Sequence, residues 1–399
     1  MNKLGVIAAA LPLAVACGGA PKPYDCSSGV AGLAGVVRAE HAVPGRYIVV
    51  FKPTTIAATG MAAKADEIRS LAATFAMQDA VPLAVIDGVA AAMEPAAATA
   101  MAQDPRVAFV QEDGVKSVTP LAAPAASVVW GLDRTDQRSL PLDNRYEPVG
   151  DGDGAHVYVI DTGLDESHAD FAGRVGEGFS AYGGSNNDGH GHGTHVAGIV
   201  GGTRFGVAKK VVLHGVRVLT SDGSGTDSAV VAGIDWVARH VADHGWPAVA
   251  NLSLGGSPSP ALDMAVCRLI AAGVPTAIAA GNDDKAACAY SPSRVAQAAV
   301  AGATDRNDRR AFFSNTGPCV AVFAPGLDIE SARRGGGSTT LSGTSMASPH
   351  TAGVAAICLQ RHPASTPAQV RACVVDTATR GTLRDIPSGS PNLLLYDGP

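Results

Sequence analysis

Short β-branched runs that alternate with helical patterns constrain this chain more than anything else in it. Val157–Ile160, Val211–Val218 and Val249–Leu254 are nearly continuous apolar stretches. Between and after them, Asp227–Ala238 and Leu262–Ala272 repeat apolar residues at the period of a helix. Strands that are apolar on both sides need cover on both faces, and strand–helix alternation provides it in a parallel sheet. The expected fold class is α/β, a doubly wound and mostly parallel sheet. Ligands and reacting groups of such sheets collect at the carboxyl ends of the strands.

Three segments place chemistry there. The run Val157-Tyr158-Val159-Ile160 ends in Asp161-Thr162-Gly163, an acid and a turn glycine at the end of a buried strand. His192 lies in Asp188-Gly189-His190-Gly191-His192-Gly193-Thr194-His195. Ser345 lies in Gly343-Thr344-Ser345-Met346-Ala347, just where an apolar helical pattern begins. A helix N-terminus offers unpaired N–H groups and partial positive charge, both suited to a developing oxyanion. Serine is a weak nucleophile and needs a base, which needs an orienting group in turn. Asp161, His192 and Ser345, in that order, supply an acid, an imidazole and a hydroxyl.

Each of these residues also has an ordinary reading. Ser345 alone would be a helix cap. Asp161-Thr162-Gly163 also suits an aspartic protease, but that chemistry needs two such carboxylates and no second Asp-Thr/Ser-Gly occurs. His190, His192 and His195 suggest zinc, yet no carboxylate stands at a metal-hydrolase spacing, so His190 and His195 are expected at loop and packing positions. Met346 is expected as half-buried filler.

With these blocks in order, the chain resembles the subtilisin-like serine proteases, and most closely the proteinase K and aqualysin branch. The resemblance runs from about Trp130 to the C-terminus, with a further match upstream. It implies that Ser345 attacks the scissile carbonyl, that His192 takes its proton and that Asp161 orients the imidazole. It assigns the oxyanion-hole amide to Asn282, in Ala279-Ala280-Gly281-Asn282, with the Ser345 N–H as second donor. It further implies that Gly223, Ser224 and Gly225, together with Ser253, Leu254, Gly255 and Gly256, pair with an extended peptide. Ala279, Ala280 and Gly281 would line a first pocket roomy enough for an apolar or aromatic P1 side chain. Asp227 falls where relatives often carry an aromatic at the fourth subsite, which suggests tolerance of a basic P4 residue. Structural calcium is implied at Asp133, Asp136, Gln137 and Asp143, whereas Ala321 and Thr382 break other family sites. A catalytically silent binding protein of the same fold is the alternative from another class.

The rest of the chain is organised around this. Of 399 residues, 46% are hydrophobic and 17% charged, and the net charge is −6, which suits a compact globular enzyme rather than a basic nucleic-acid binder; the resemblance implies a monomer acting on protein or peptide substrates. Residues 1–17 read as a signal peptide, and Leu13-Ala14-Val15-Ala16-Cys17 resembles a lipobox, so a secreted protein is expected, with possible anchoring of its precursor. Residues 18–40 read as a Gly, Pro and Ala-rich linker, and 41–117 as a small ferredoxin-like α/β propeptide, the intramolecular inhibitor and chaperone of the resembling family. Residues 118–126 are expected to hold the self-processing bond, near Ala122-Ala123, and 127–399 the catalytic domain. Seven cysteines in an exported chain argue for disulfides. The resemblance pairs Cys288 with Cys319; Cys358 and Cys373 form a candidate pair, Cys267 is expected as a buried free thiol, and Cys26 has no evident partner.

Overall fold

The computed structural model describes residues 21–27, 33, 35–53, 68–118, 121–122 and 129–398. The signal-peptide reading and Cys17 lie outside them, as does Ala123.

Among the described residues, the larger, downstream part of the chain is built on a nine-stranded sheet. From one edge it runs Thr379–Arg380, Leu393–Leu394, Val322–Pro325, Ala299–Thr304, Thr276–Ala279, Ala248–Leu252, His156–Asp161, Val212–Arg217 and Phe179–Ser180. Every adjacent pair is parallel except the first. Side-chain alternation divides the core. Tyr158 and Ile160 pack with Val230, Ile234 and Leu262 from the helices Asp227–His244 and Pro260–Ala271. Val157 and Val159 face the opposite layer, with Val196 and Val200 of the helix His192–Gly201 and Val354 of Thr344–Arg361. A strand apolar at every position thus has a layer for each face. Strand order reverses at His156–Asp161: the chain next adds strands on one side, then crosses to Ala248–Leu252 on the other. Asp161 ends the strand at this reversal, where open sheets leave a crevice.

Upstream, a separate sheet runs Val36–Val37, Val107–Ser117, Ala42–Phe51, Gly88–Ala92, Gln78–Leu83, with a small core of its own around Val49, Leu71, Met101 and Val110. It sits on the two helices through their first turns. Asp113 accepts hydrogen bonds from the Ser228 N–H (2.9 Å) and hydroxyl (2.5 Å). Gln111 accepts from the Ala261 N–H (3.1 Å) and donates to the Ser259 hydroxyl (2.9 Å). Two strand residues therefore satisfy donors that a helix start leaves orphaned.

Two expectations are corrected here. Cys267 is not a free thiol and Cys26 is not without a partner: they form a disulfide, beside Cys288–Cys319 and Cys358–Cys373. The stretch expected as a linker also makes specific contacts. Tyr24 bridges Val295, and Val36–Val37 pairs with Val110–Gln111. A loop-like composition concealed this, because strand bridges and disulfides are formed by residues far off in the chain. Among the described residues, no helix is long and apolar enough to cross a membrane.

Candidate active site

Asp161 and His192 meet at the sheet reversal. The His192 Nδ1 lies 2.7 Å from Asp161 Oδ1, both side chains are buried, and the same oxygen accepts the Thr162 N–H at 2.7 Å. That contact fixes the imidazole by its Nδ1 and leaves Nε2, which has no hydrogen-bond partner among the described residues, as the atom available for proton transfer. Ser345 occupies the second position of the helix Thr344–Arg361 and donates from Oγ to the Ser253 carbonyl at 3.2 Å. The Ser345 hydroxyl is therefore parked on Ser253 rather than bonded to His192. Catalytic hydrogen bonds are often long or poorly aligned before substrate binds.

Asn282 is held by its carbonyl. Its Oδ1 accepts the Thr344 N–H (2.9 Å) and hydroxyl (2.8 Å), which turns the amide nitrogen toward the start of the serine helix. A Cβ built on Gly343 would stand 3.3 Å from that nitrogen, so the helix entry needs glycine to leave the space open. Gly281, at φ +102°, is similarly restricted: a Cβ there would come within 2.3 Å of Asn315 Nδ2.

Sequence reasoning missed the residues that hold these groups. Asp188 is buried and takes five hydrogen bonds: Oδ1 from the Thr162 hydroxyl, His190 N–H and Gly191 N–H, and Oδ2 from the Thr194 N–H and hydroxyl. Burial pushes its carboxyl up, and the donors of Thr194, Gly191 and His190 more than offset this, leaving it below the ordinary carboxylate range. It ties the Asp161 loop to the first turn of the His192 helix, and its place at the head of the glycine–histidine run was the available signal. Asn315 accepts the Asp283 and Lys285 N–H groups and donates to the Ala280 carbonyl, pinning the Asn282 loop. Asn251, Ser253 and Ser348 link the sheet to the serine helix. Nothing in the local sequence around Asn315 or Asn251 marks them.

Of the other two histidines, His195 is buried with Nε2 near the Ile329 and Thr339 carbonyls, and burial pushes it down to about 3. His190 adjoins Gly223. Met346 is fully buried rather than half-buried.

Beside Ser345 opens a cavity of about 330 Å3, lined by Ser253, Leu254, Gly255, Gly256, Ala279–Asn282 and the upstream residue Ser117. The two segments expected to grip an extended peptide do so with the chain itself. Ser224, Gly225 and Thr226 pair antiparallel with Ser117, Lys116 and Val115. Ser117 and Gly255 exchange hydrogen bonds of 3.2 and 3.3 Å, and the Val118 N–H donates to the Gly223 carbonyl at 3.0 Å. Beyond the site, the backbone of Leu121–Ala122 pairs with Leu341–Ser342. The chain thus pairs with the larger domain at Val118 and again at Leu121, both upstream of the Ala122-Ala123 bond that the sequence suggested.

Asp227 is covered by the upstream strand. It is buried, its Oδ1 lies 2.7 Å from Lys116 Nζ, itself buried, and its Oδ2 accepts from Gln111 at 3.3 Å.

The four residues expected to hold calcium fit it unequally. Both Asp133 oxygens accept backbone N–H groups, of Asp143 (3.2 Å) and Asn144 (2.9 Å). The end of the Gln137 amide lies against Asp133, 3.1 Å from its backbone carbonyl oxygen and 2.9 Å from Oδ1. Asp136 differs: its Oδ1 is buried with no hydrogen-bond partner among the described residues. Burial first, and then the neighbouring Asp133 and Asp143 charges, raise its carboxyl above the ordinary range. A hard cation would relieve that cluster. Among the described residues no three His, Cys, Asp or Glu side chains form a ready cage, so backbone oxygens would have to complete a site at Asp136.

Residues 152–392 match the subtilase family model. The chain is 46% identical over 379 residues to an extracellular serine proteinase of Thermus sp. (strain Rt41A), covering 90% of this chain and 91% of that protein. It is 44% identical over 365 residues to alkaline serine exoprotease A of Vibrio alginolyticus, covering 89% and 68%. The crystal structure of a cold adapted subtilisin-like serine proteinase is similar with a TM-score of 0.65 and 47% identity, over 68% of this chain and 99% of that one.

Proposed function

Since the chain belongs to the subtilase family and is a serine proteinase, we propose an exported, self-processing endopeptidase whose nucleophile is Ser345. His192 Nε2 accepts the hydroxyl proton as Oγ attacks the scissile carbonyl, and Asp161 stabilises the resulting imidazolium. The Asn282 amide and the Ser345 N–H receive the oxyanion. His192 then gives the proton to the leaving amine, and water completes hydrolysis of the acyl-enzyme.

The observation that carries this reading is the chain's own strand in the cleft. Val115–Val118 lies antiparallel to Ser224–Thr226 and against Gly255, as a peptide substrate would, and the backbone pairs again at Leu121–Ala122 with Leu341–Ser342. A segment so held is both the first substrate and an inhibitor. Ser345→Ala tests it: the wild type should be cut within 118–126 and the variant should stay whole. Cleavage of the variant at the same place would remove Ser345 from the mechanism.

Main-chain pairing supports broad specificity, and the small groups of Ala279, Ala280 and Gly281 support an apolar or aromatic P1 residue. The Lys116–Asp227 pair supports a preference for a basic residue where Lys116 lies, which is P4 for a cut after Thr119 rather than at Ala122-Ala123. An acid in a helix's first turn is otherwise ordinary, since it favours the dipole. Here, however, the carboxylate is buried against an ammonium carried by the bound strand. Peptides with Lys at P4 should exceed those with Leu by about tenfold in kcat/KM, the scale of a hydrogen bond to a charged partner. Asp227→Asn should erase the difference, and an equal ratio in the two enzymes would remove Asp227 from specificity. Calcium is proposed at Asp136 as a structural ion.

A further inference from the structure

We propose that self-cleavage does not separate this enzyme from its pro-region, because the Cys26–Cys267 disulfide spans the cut. The inference rests on the self-processing reading and adds what happens next. Every processing bond within 118–126 has Cys26 on its upstream side and Cys267 on its downstream side, and the bridge has a sequence separation of 241. The other two disulfides, Cys288–Cys319 and Cys358–Cys373, lie wholly downstream. Hydrolysis consumes one water and breaks one amide, leaving the sulfur–sulfur bond intact. The product is one covalent molecule of two chains.

The bridge is part of a docked segment. Tyr24 exchanges backbone hydrogen bonds with the catalytic half, its N–H to the Arg294 carbonyl (2.7 Å) and its carbonyl from the Ala296 N–H (3.1 Å). The Cys26 N–H donates to Gln297 Oε1 (3.4 Å), and Gln297 Nε2 donates to Asp25 (2.8 Å). The Arg294 guanidinium lies over the Tyr24 ring and also pairs with Asp263, on the helix that carries Cys267. Residues 24–26 are thus anchored on the same body that the Val107–Ser117 strand inhibits, although eighty residues of pro-region lie between them.

Tethering changes the kinetics of release. A free inhibitor leaves on dilution, but a linked one rebinds at a local concentration on the order of millimolar, whatever the bulk concentration. Cutting the junction therefore leaves the enzyme latent. Activity appears only when a second hydrolysis removes the inhibitor between Cys26 and the strand Val107–Ser117, and residues around Cys26 then stay on the mature enzyme as a disulfide-held stub.

Full-length protein, allowed to process, is run on denaturing gels with and without reductant. Wild type should give one species without reductant and two with it, while Cys26→Ser should give two in both. Diluting the newly cut protein about a hundredfold should relieve latency in Cys26→Ser and leave wild type latent. Peptide mass mapping of unreduced mature wild type should find Tyr24-Asp25-Cys26 joined to the Cys267 peptide, a readout that does not depend on the variant folding. Cut wild type that separates without reductant, or a mature Cys267 that is alkylated without reduction, overturns the tether. Absence of any cut overturns the self-processing reading instead.

Discussion

Asn282 shows how a single side chain acquires a direction. Thr344 takes up its carbonyl oxygen through two donors, so its amide nitrogen turns toward the start of the serine helix. If the amide serves an oxyanion, its contribution is made in the transition state and hardly at all in the ground state. Asn282→Ala should then lower kcat by about a hundredfold or more, near 3 kcal/mol, with KM almost unchanged. Steady-state kinetics on one peptide decide this, since a loss residing mainly in KM would assign Asn282 to substrate binding. Asn282 itself was legible in the sequence, in a four-residue block after an apolar strand. Asn315, which pins that loop from more than thirty residues away, was not. A buried amide in a loop has no local signature; its partners are backbone groups that only the fold brings near.

Among the elements, the short helix Trp130–Thr135 and the turn after it carry the acid cluster. Four residues were expected to share a cation; both Asp133 oxygens accept backbone N–H groups, and an Asp136 oxygen is buried with no hydrogen-bond partner among the described residues. Chelation should therefore lower the midpoint of thermal unfolding, and Asp136→Asn should remove most of the chelator's effect because it removes the unpaired charge. A midpoint indifferent to chelator in the wild type would leave the cluster without its ion. Strands and helices were legible to within a few residues at each end: Val249–Leu254 is observed as Ala248–Leu252, and Leu262–Ala272 as Pro260–Ala271. Ser259 and Pro260 start that helix one turn before its apolar pattern shows.

Across the whole molecule, burial sets the response to acid. Burial pushes His156, His214 and His350 down to about 4 and His195 to about 3. Below the ordinary histidine value of 6.5 the unfolded chain takes up protons that these folded imidazoles refuse, so stability falls as pH falls from 6.5 toward 4. Asp263 and Asp397, which burial raises to about 6 and about 7, act oppositely, because their folded forms hold protons that the unfolded chain has released. Asp113, Asp133 and Asp136 are raised by burial as well, so the imidazole contribution is read as a difference: His195→Asn should reduce the acid sensitivity of the unfolding midpoint between pH 6.5 and 4.5 relative to wild type. A calorimetric difference profile flat across that window would show that His195 is not held neutral.

What the sequence alone determined was local or periodic: the parallel sheet, from strands apolar on both faces, and the candidacy of Asp161, His192, Ser345 and Asn282, from short blocks with a defined order. What tertiary structure decided was long-range pairing: the Lys116–Asp227 contact, the Ser345 hydroxyl resting on Ser253, and above all the Cys26–Cys267 bridge. The physical reason is the same throughout. Periodicity records which face of an element is buried, whereas the partner of a charge, an amide or a thiol depends on where the chain returns in space.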